Sequence, residues 1–66
     1  MGNSSYNSRE LLKILLDDGW TVVRVKGSHH QLRHPTKVGL VTLPHPKKDL
    51  PRKTCDSILK QAGLRG

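Results

Sequence analysis

Between Asn7 and Gly19 the apolar positions fall at helical spacing. Leu11, Leu12, Leu15 and Leu16 recur three and four residues apart, and Ile14 widens the stripe. Asn7 is a good N-cap, Glu10 stands three residues later as in a capping box, and Gly19 suits the position just past a helix end. The period then shortens to two. Trp20–Lys26, rich in Val and Thr, predicts a strand. Strict alternation puts Thr21, Val23 and Val25 on one face and Val22, Arg24 and Lys26 on the other. Gly27-Ser28 supplies a two-residue hairpin turn. A second strand over His29–His34 stops at Pro35. Its one aliphatic residue, Leu32, marks the core face, so His30 and His34 point with Leu32 while His29, Gln31 and Arg33 point to solvent. A turn at Lys37-Val38-Gly39 leads to a third strand, Leu40–Leu43.

Pro44–Pro51 reads as a connector rich in Pro and Lys, and Pro51 opens a second helix, since Pro suits a first helical turn. Cys55, Ile58, Leu59 and Ala62 form its apolar stripe. Gly63 then ends the helix, with Leu64 as the hydrophobic contact of a Schellman ending. The order predicts an α+β fold, α-β-β-β-α. A three-stranded antiparallel sheet with both helices on one face buries every apolar stripe and leaves the other sheet face to water. On that open face the alternation groups Arg24, Lys26, His29, Gln31 and Arg33, a grouping that a bulge near Gly27 would break. The whole of 1–66 reads as one domain without repeats or linkers, with Met1–Tyr6 a loose polar terminus.

Charge narrows what such a domain meets. In 66 residues, 12 Lys and Arg stand against 5 Asp and Glu, a net charge of +7. The sequence pI is about 10.2. That field draws polyanions, and its spread along the chain favours a folded basic surface over a basic tail. With only Cys55, no internal disulfide can form, which fits a reducing cytoplasm. No apolar run approaches the roughly 18 residues of a membrane span, and the polar N-terminus does not read as a signal peptide. Met1-Gly2 opens like a myristoylation site, but Tyr6 stands where that motif wants Ser or Thr.

The candidate chemistry lies in the histidines. A local metal site is disfavoured. His30 and His34 on one strand lie about 13 Å apart, and His29 and His30 point to opposite faces. No CxxC or HExxH pattern exists. Neither metal nor other cofactor is expected. A metal-free RNA cut needs less. A base takes the 2′-hydroxyl proton, an acid protonates the leaving 5′-oxygen, and cations offset charge on the phosphorane. Histidine suits both proton transfers because it titrates near neutrality. His29 beside Arg24, Lys26 and Arg33 supplies such parts. The plainer assignments are a solvated strand for His29, structural roles for His30 and His34, a loop residue at His45, and solvated basic residues. Trp20 reads as a core anchor and Cys55 as a buried, inert thiol. Lys47, Lys48, Arg52 and Lys53 read as phosphate contacts or as a solubilising patch. With Trp20 and Tyr6 as the only aromatics, base stacking is poorly provided for.

The ordered set Asp18-Gly19-Trp20, Arg24-Val25-Lys26-Gly27-Ser28-His29-His30, His34-Pro35, Val41-Thr42-Leu43-Pro44-His45-Pro46, Lys48-Asp49-Leu50-Pro51 and Ile58-Leu59-Lys60-Gln61-Ala62-Gly63-Leu64 resembles the HicA toxins of bacterial HicAB toxin–antitoxin modules. The resemblance runs from Ser8 to Leu64. It implies a fold similar to the double-stranded-RNA-binding domain and a small mRNA interferase, neutralised by a HicB antitoxin that covers the active surface. It also implies a functional histidine in the Gly-Ser-His motif, which falls on His29, with His30 as the alternative. Gly27, with Ser28, falls at a turn the RNA backbone approaches closely. Lys47 and Lys48 extend the phosphate track. The residues alone do not name a second acid–base group: His30, His45 or a lysine would serve. Two other classes compete with the nuclease. One is a non-catalytic double-stranded-RNA-binding module, with basic residues near the second helix for groove phosphates. The other is a DNA-binding protein, disfavoured because no helix-turn-helix pattern is present.

Overall fold

The protein is described from a computed structural model covering residues 6–64. Its elements run α1 (Ser8–Asp17), β1 (Thr21–Lys26), β2 (His29–Arg33), β3 (Val41–Pro44) and α2 (Arg52–Gln61). The strands form one antiparallel sheet in the order β1-β2-β3, so the expected α+β architecture is present.

Local sequence accounts for the helix ends. The Asn7 side chain accepts the Glu10 N–H at 2.8 Å, and the Glu10 carboxylate accepts the Asn7 N–H at 3.1 Å, a complete capping box. Both helices finish in a Schellman motif. After α1, Gly19 and Trp20 donate their N–H groups to the Leu16 and Leu15 carbonyls, with Gly19 at φ +106°. After α2, Gly63 and Leu64 donate likewise to Lys60 and Leu59.

Leu11 and Leu15 of α1, Cys55, Ile58 and Leu59 of α2, and Leu32, Val41 and Leu43 of the sheet close one core with Trp20 and Leu50. Leu32 and Val41 are cross-strand partners, so both helices share the face these residues define. The Cys55 thiol is buried and donates to the Leu50 carbonyl. Met1–Ser5 of the expected loose terminus lie outside the described residues. Tyr6, the last residue of that segment, instead packs on the core and accepts the Leu50 N–H at 2.9 Å, which ties the entry of α1 to the entry of α2.

Strand β1 departs from simple alternation. Val22 pairs with Leu32 and Arg24 with Gln31, leaving Val23 as an extra residue in a bulge. Thr21 therefore lies opposite Arg33 on the open face, and Val22 and Val25 turn to the core side opposite Leu32 and His30. The expected sets Thr21/Val23/Val25 and Val22/Arg24/Lys26 are both broken by that one residue. Every residue of β1 stays exposed, Val25 at 56%, because the helices cover β2 and β3 and leave the β1 edge beyond them.

Candidate functional site

On the uncovered sheet face Lys26 lies opposite His29, Arg24 opposite Gln31, and Thr21 opposite Arg33. The bulge leaves this grouping intact because the parity is restored at Arg24. Four of the expected residues, Arg24, Lys26, His29 and Arg33, thus share one surface, and all four are exposed. None is ion-paired with another described residue, so the charges of Arg24, Lys26 and Arg33 are free for a ligand. Gly27 holds φ +58° at the β1–β2 turn, and a Cβ added there meets nothing within 4 Å. The carbonyl of Ser28 accepts the His45 N–H at 2.8 Å. Lys47 and Lys48 are not on the sheet face. They sit in the loop after β3, at the same end of the sheet as the β1–β2 turn.

His30 faces the helix side, opposite Leu43 and Val25, and is half-buried. Its ring meets the His45 ring edge-to-face, with centroids 4.8 Å apart and planes at 89°. His30 Nδ1 is enclosed without a hydrogen-bond partner. Beyond His45 stands Ser8, whose Oγ lies 2.6 Å from His45 Nδ1 and accepts the Lys47 N–H at 2.7 Å. Ser8 in turn donates its own N–H to the Lys47 carbonyl at 2.9 Å. The start of α1, the loop after β3 and the β1–β2 turn are therefore joined through His45. The sequence marks His45 as a loop residue and as one option for a second acid–base group, and carries no signal for Ser8. Contacts across 37 residues leave no local signature.

His34 is of a different kind. Its Nε2–H donates to the Asp18 carbonyl at 2.7 Å, and Nδ1 accepts the Thr36 and Lys37 N–H groups at 3.1 and 3.2 Å. Two backbone donors aimed at Nδ1 require its lone pair, which fixes the tautomer. The ring also packs against Trp20, with centroids 5.3 Å apart. Lys37 joins the cluster, donating to Asp18 Oδ2 at 2.6 Å and to the Ala62 carbonyl at 2.9 Å. That hydrogen bond from Lys37 holds the Asp18 carboxyl below the usual carboxylate range. All four histidines are now placed: His34 locks the fold, His29 is free on the basic face, and His30 and His45 form a pair. Among the described residues no three His, Cys, Asp or Glu side chains gather as a metal site, and no helix is long and apolar enough to cross a membrane.

Residues 8–64 match the family described as HicA toxin of bacterial toxin–antitoxin. Among solved structures, a chain of a "Toxin-Antitoxin complex from Streptococcus pneumoniae" is similar, with a TM-score of 0.75 and 34% sequence identity. The similarity covers 88% of this chain and 97% of that one. No curated protein sequence matches.

Proposed function

The chain belongs to the HicA toxin family of toxin–antitoxin systems, and from that premise we propose that it is a metal-independent endoribonuclease that cleaves mRNA in the cytoplasm with a histidine at the start of β2. The observation that carries the reading is the uncovered sheet face, where His29 stands beside Lys26 with Arg24 and Arg33 in the same layer and none of the cations neutralised.

In the proposed reaction a neutral histidine takes the 2′-hydroxyl proton as O2′ bonds to the adjacent phosphorus. The P–O5′ bond breaks, and an acid delivers a proton to O5′. The products are a 2′,3′-cyclic phosphate and a 5′-hydroxyl. Arg24, Lys26 and Arg33 hold the backbone and offset charge in the transition state. Lys47 and Lys48 bind flanking phosphates, and the bare Gly27-Ser28 turn lets the backbone come close. His30 is the second candidate, supported by its ring contact with His45, which puts two titratable groups side by side.

The partner in this reading is a HicB-like antitoxin. Two observations support it: the similar structure is a toxin–antitoxin complex, and a chain at +7 attracts an acidic inhibitor that would also mask the RNA face. The decisive assay incubates the protein with a labelled transcript in EDTA. Cleavage leaving 2′,3′-cyclic phosphate ends is expected. Binding without cleavage would make the protein an RNA-binding module instead.

A further inference from the structure

A pocket of about 610 Å³ opens between the first turn of α1 and the loop after β3. Arg9, Lys47 and Lys48 line it together with Ser8 and His45, and no Asp or Glu does. None of the three cations is ion-paired with another described residue. Of the five carboxylates, four engage Lys13, Lys37 and Arg52 or cap α1, and Asp49, though next to Lys48, does not line the pocket, so this is a concentration of free positive charge.

Ser8 is 2% exposed, the one buried polar side chain among the described residues. Because its Oγ already accepts the Lys47 N–H, its hydroxyl proton is free for His45 Nδ1. The reverse arrangement, with a proton on His45 Nδ1, would leave the enclosed hydroxyl hydrogen without an acceptor. His45 Nδ1 thereby accepts from Ser8, and Nε2 is left as the ring's donor.

We propose that this pocket is a subsite for one backbone phosphate of the RNA, with charge from Arg9, Lys47 and Lys48 and a directed hydrogen bond from His45 Nε2–H. Ser8 is a positioning residue that sets the tautomer. The proposal rests on the reading that RNA is the ligand, and it locates a part of that ligand away from the sheet face. Continuity supports RNA over a free anion. The Ser28 carbonyl holds the His45 N–H, so the pocket wall is joined to the turn that leads into His29.

The test measures binding by fluorescence anisotropy of the full chain to a fully 2′-O-methylated RNA, which lacks the nucleophile and cannot be cut. The pocket pair Arg9→Gln/Lys48→Gln is compared with Lys13→Gln/Lys60→Gln, which removes the same charge from exposed helix positions elsewhere. The pocket pair is expected to weaken binding at least ~10-fold and to lower the salt slope by roughly 1.4, two contacts at about 0.7 each for single strands. The control pair should weaken binding less than ~3-fold. Ser8→Ala, at unchanged charge, should weaken binding by about 3- to 10-fold at unchanged salt slope. It should also release the fixed Nε2–H tautomer of His45 in nitrogen-15 spectra. Equal weakening by the two pairs would show a diffuse charge effect and overturn the subsite. Wild-type RNA binding by the pocket pair with lost antitoxin binding would assign the pocket to the protein partner and overturn it too. Cleavage is scored separately. A wild-type protein that binds this RNA through the pocket yet cuts no transcript would sink the nuclease and leave the subsite standing.

Discussion

The two ends of the sheet are built on opposite terms. At the end where α1 and α2 finish, the histidine and the lysine at the edge of the core meet partners. His34 spends both ring nitrogens on backbone, and Lys37 bridges Asp18 and the Ala62 carbonyl, so a side chain reaches the last carbonyl of each helix. At the end with the β1–β2 turn, Arg9, Lys26, Lys47 and Lys48 have no ion-pair partner among the described residues, and His30 Nδ1 has no hydrogen bond. Satisfied groups stabilise a fold, and exposed cations without a partner are available to a ligand. The same residue types, His and Lys, therefore do structural work at one end and are free for chemistry at the other.

The largest expected effect separates the histidines. His29→Ala should lower the rate of transcript cleavage ~100-fold or more while leaving the melting temperature unchanged. His34→Ala should do the reverse. It strands two backbone N–H groups and a carbonyl, costing about 2–4 kcal/mol by thermal unfolding, with cleavage per folded molecule preserved. If His29→Ala cuts at the wild-type rate and His30→Ala does not, the catalytic assignment moves to the pair with His45.

The glycines sharpen the same contrast. At Gly19, φ is +106° and an added Cβ would stand 2.8 Å from His34 Nε2. Gly19→Ala should therefore cost about 3 kcal/mol, from left-handed strain plus a disturbed hydrogen bond. At Gly27 the φ of +58° suits asparagine and the space is open. Gly27→Asn should change stability by less than ~0.5 kcal/mol yet weaken RNA binding if the backbone passes close to the turn. Unchanged RNA affinity would remove Gly27 from the interface.

A smaller effect concerns acid. The Asp18 carboxyl is held below its ordinary range by Lys37, so the pair stabilises the fold above the unfolded value of about pH 3.9. That contribution is lost as pH falls through the lower folded value. Asp18→Asn should therefore be less stable than wild type at neutral pH, with the gap closing as the medium is acidified below pH 4. A gap independent of pH would place the cost in packing. Least affected of all should be Val23→Thr. The side chain is 53% exposed in the bulge, and stability should move by less than ~0.5 kcal/mol.

Much of the fold was legible in the sequence because its determinants are local. The capping box at Asn7 and Glu10, the glycines ending both helices and the apolar stripes each act within one or two turns of chain. Leu32 alone was enough to orient β2 and to separate His29 from His30. The facing of β1 was not legible. In Val22-Val23 either residue is apolar enough to face the core, so nothing in the pattern marks where the extra residue lies. The Ser8–His45–His30 arrangement was hidden for another reason. It depends on the loop after β3 returning to the start of α1, and no short-range pattern encodes that return. The basic sheet face survived the bulge because the parity error is confined to Thr21 and Val22, upstream of Arg24.

Lys37 touches the ends of both helices, and Tyr6 pairs with Leu50 at both beginnings. The helices thus run the same way, and their peptide dipoles add. The molecule carries an axis of polarity as well as a net charge, with its positive pole at the turn end. An approaching polyanion feels a torque that presents that end first. Encounters would begin already oriented, a kinetic advantage for a small protein that must find its target or its inhibitor quickly, and one that added salt would erase.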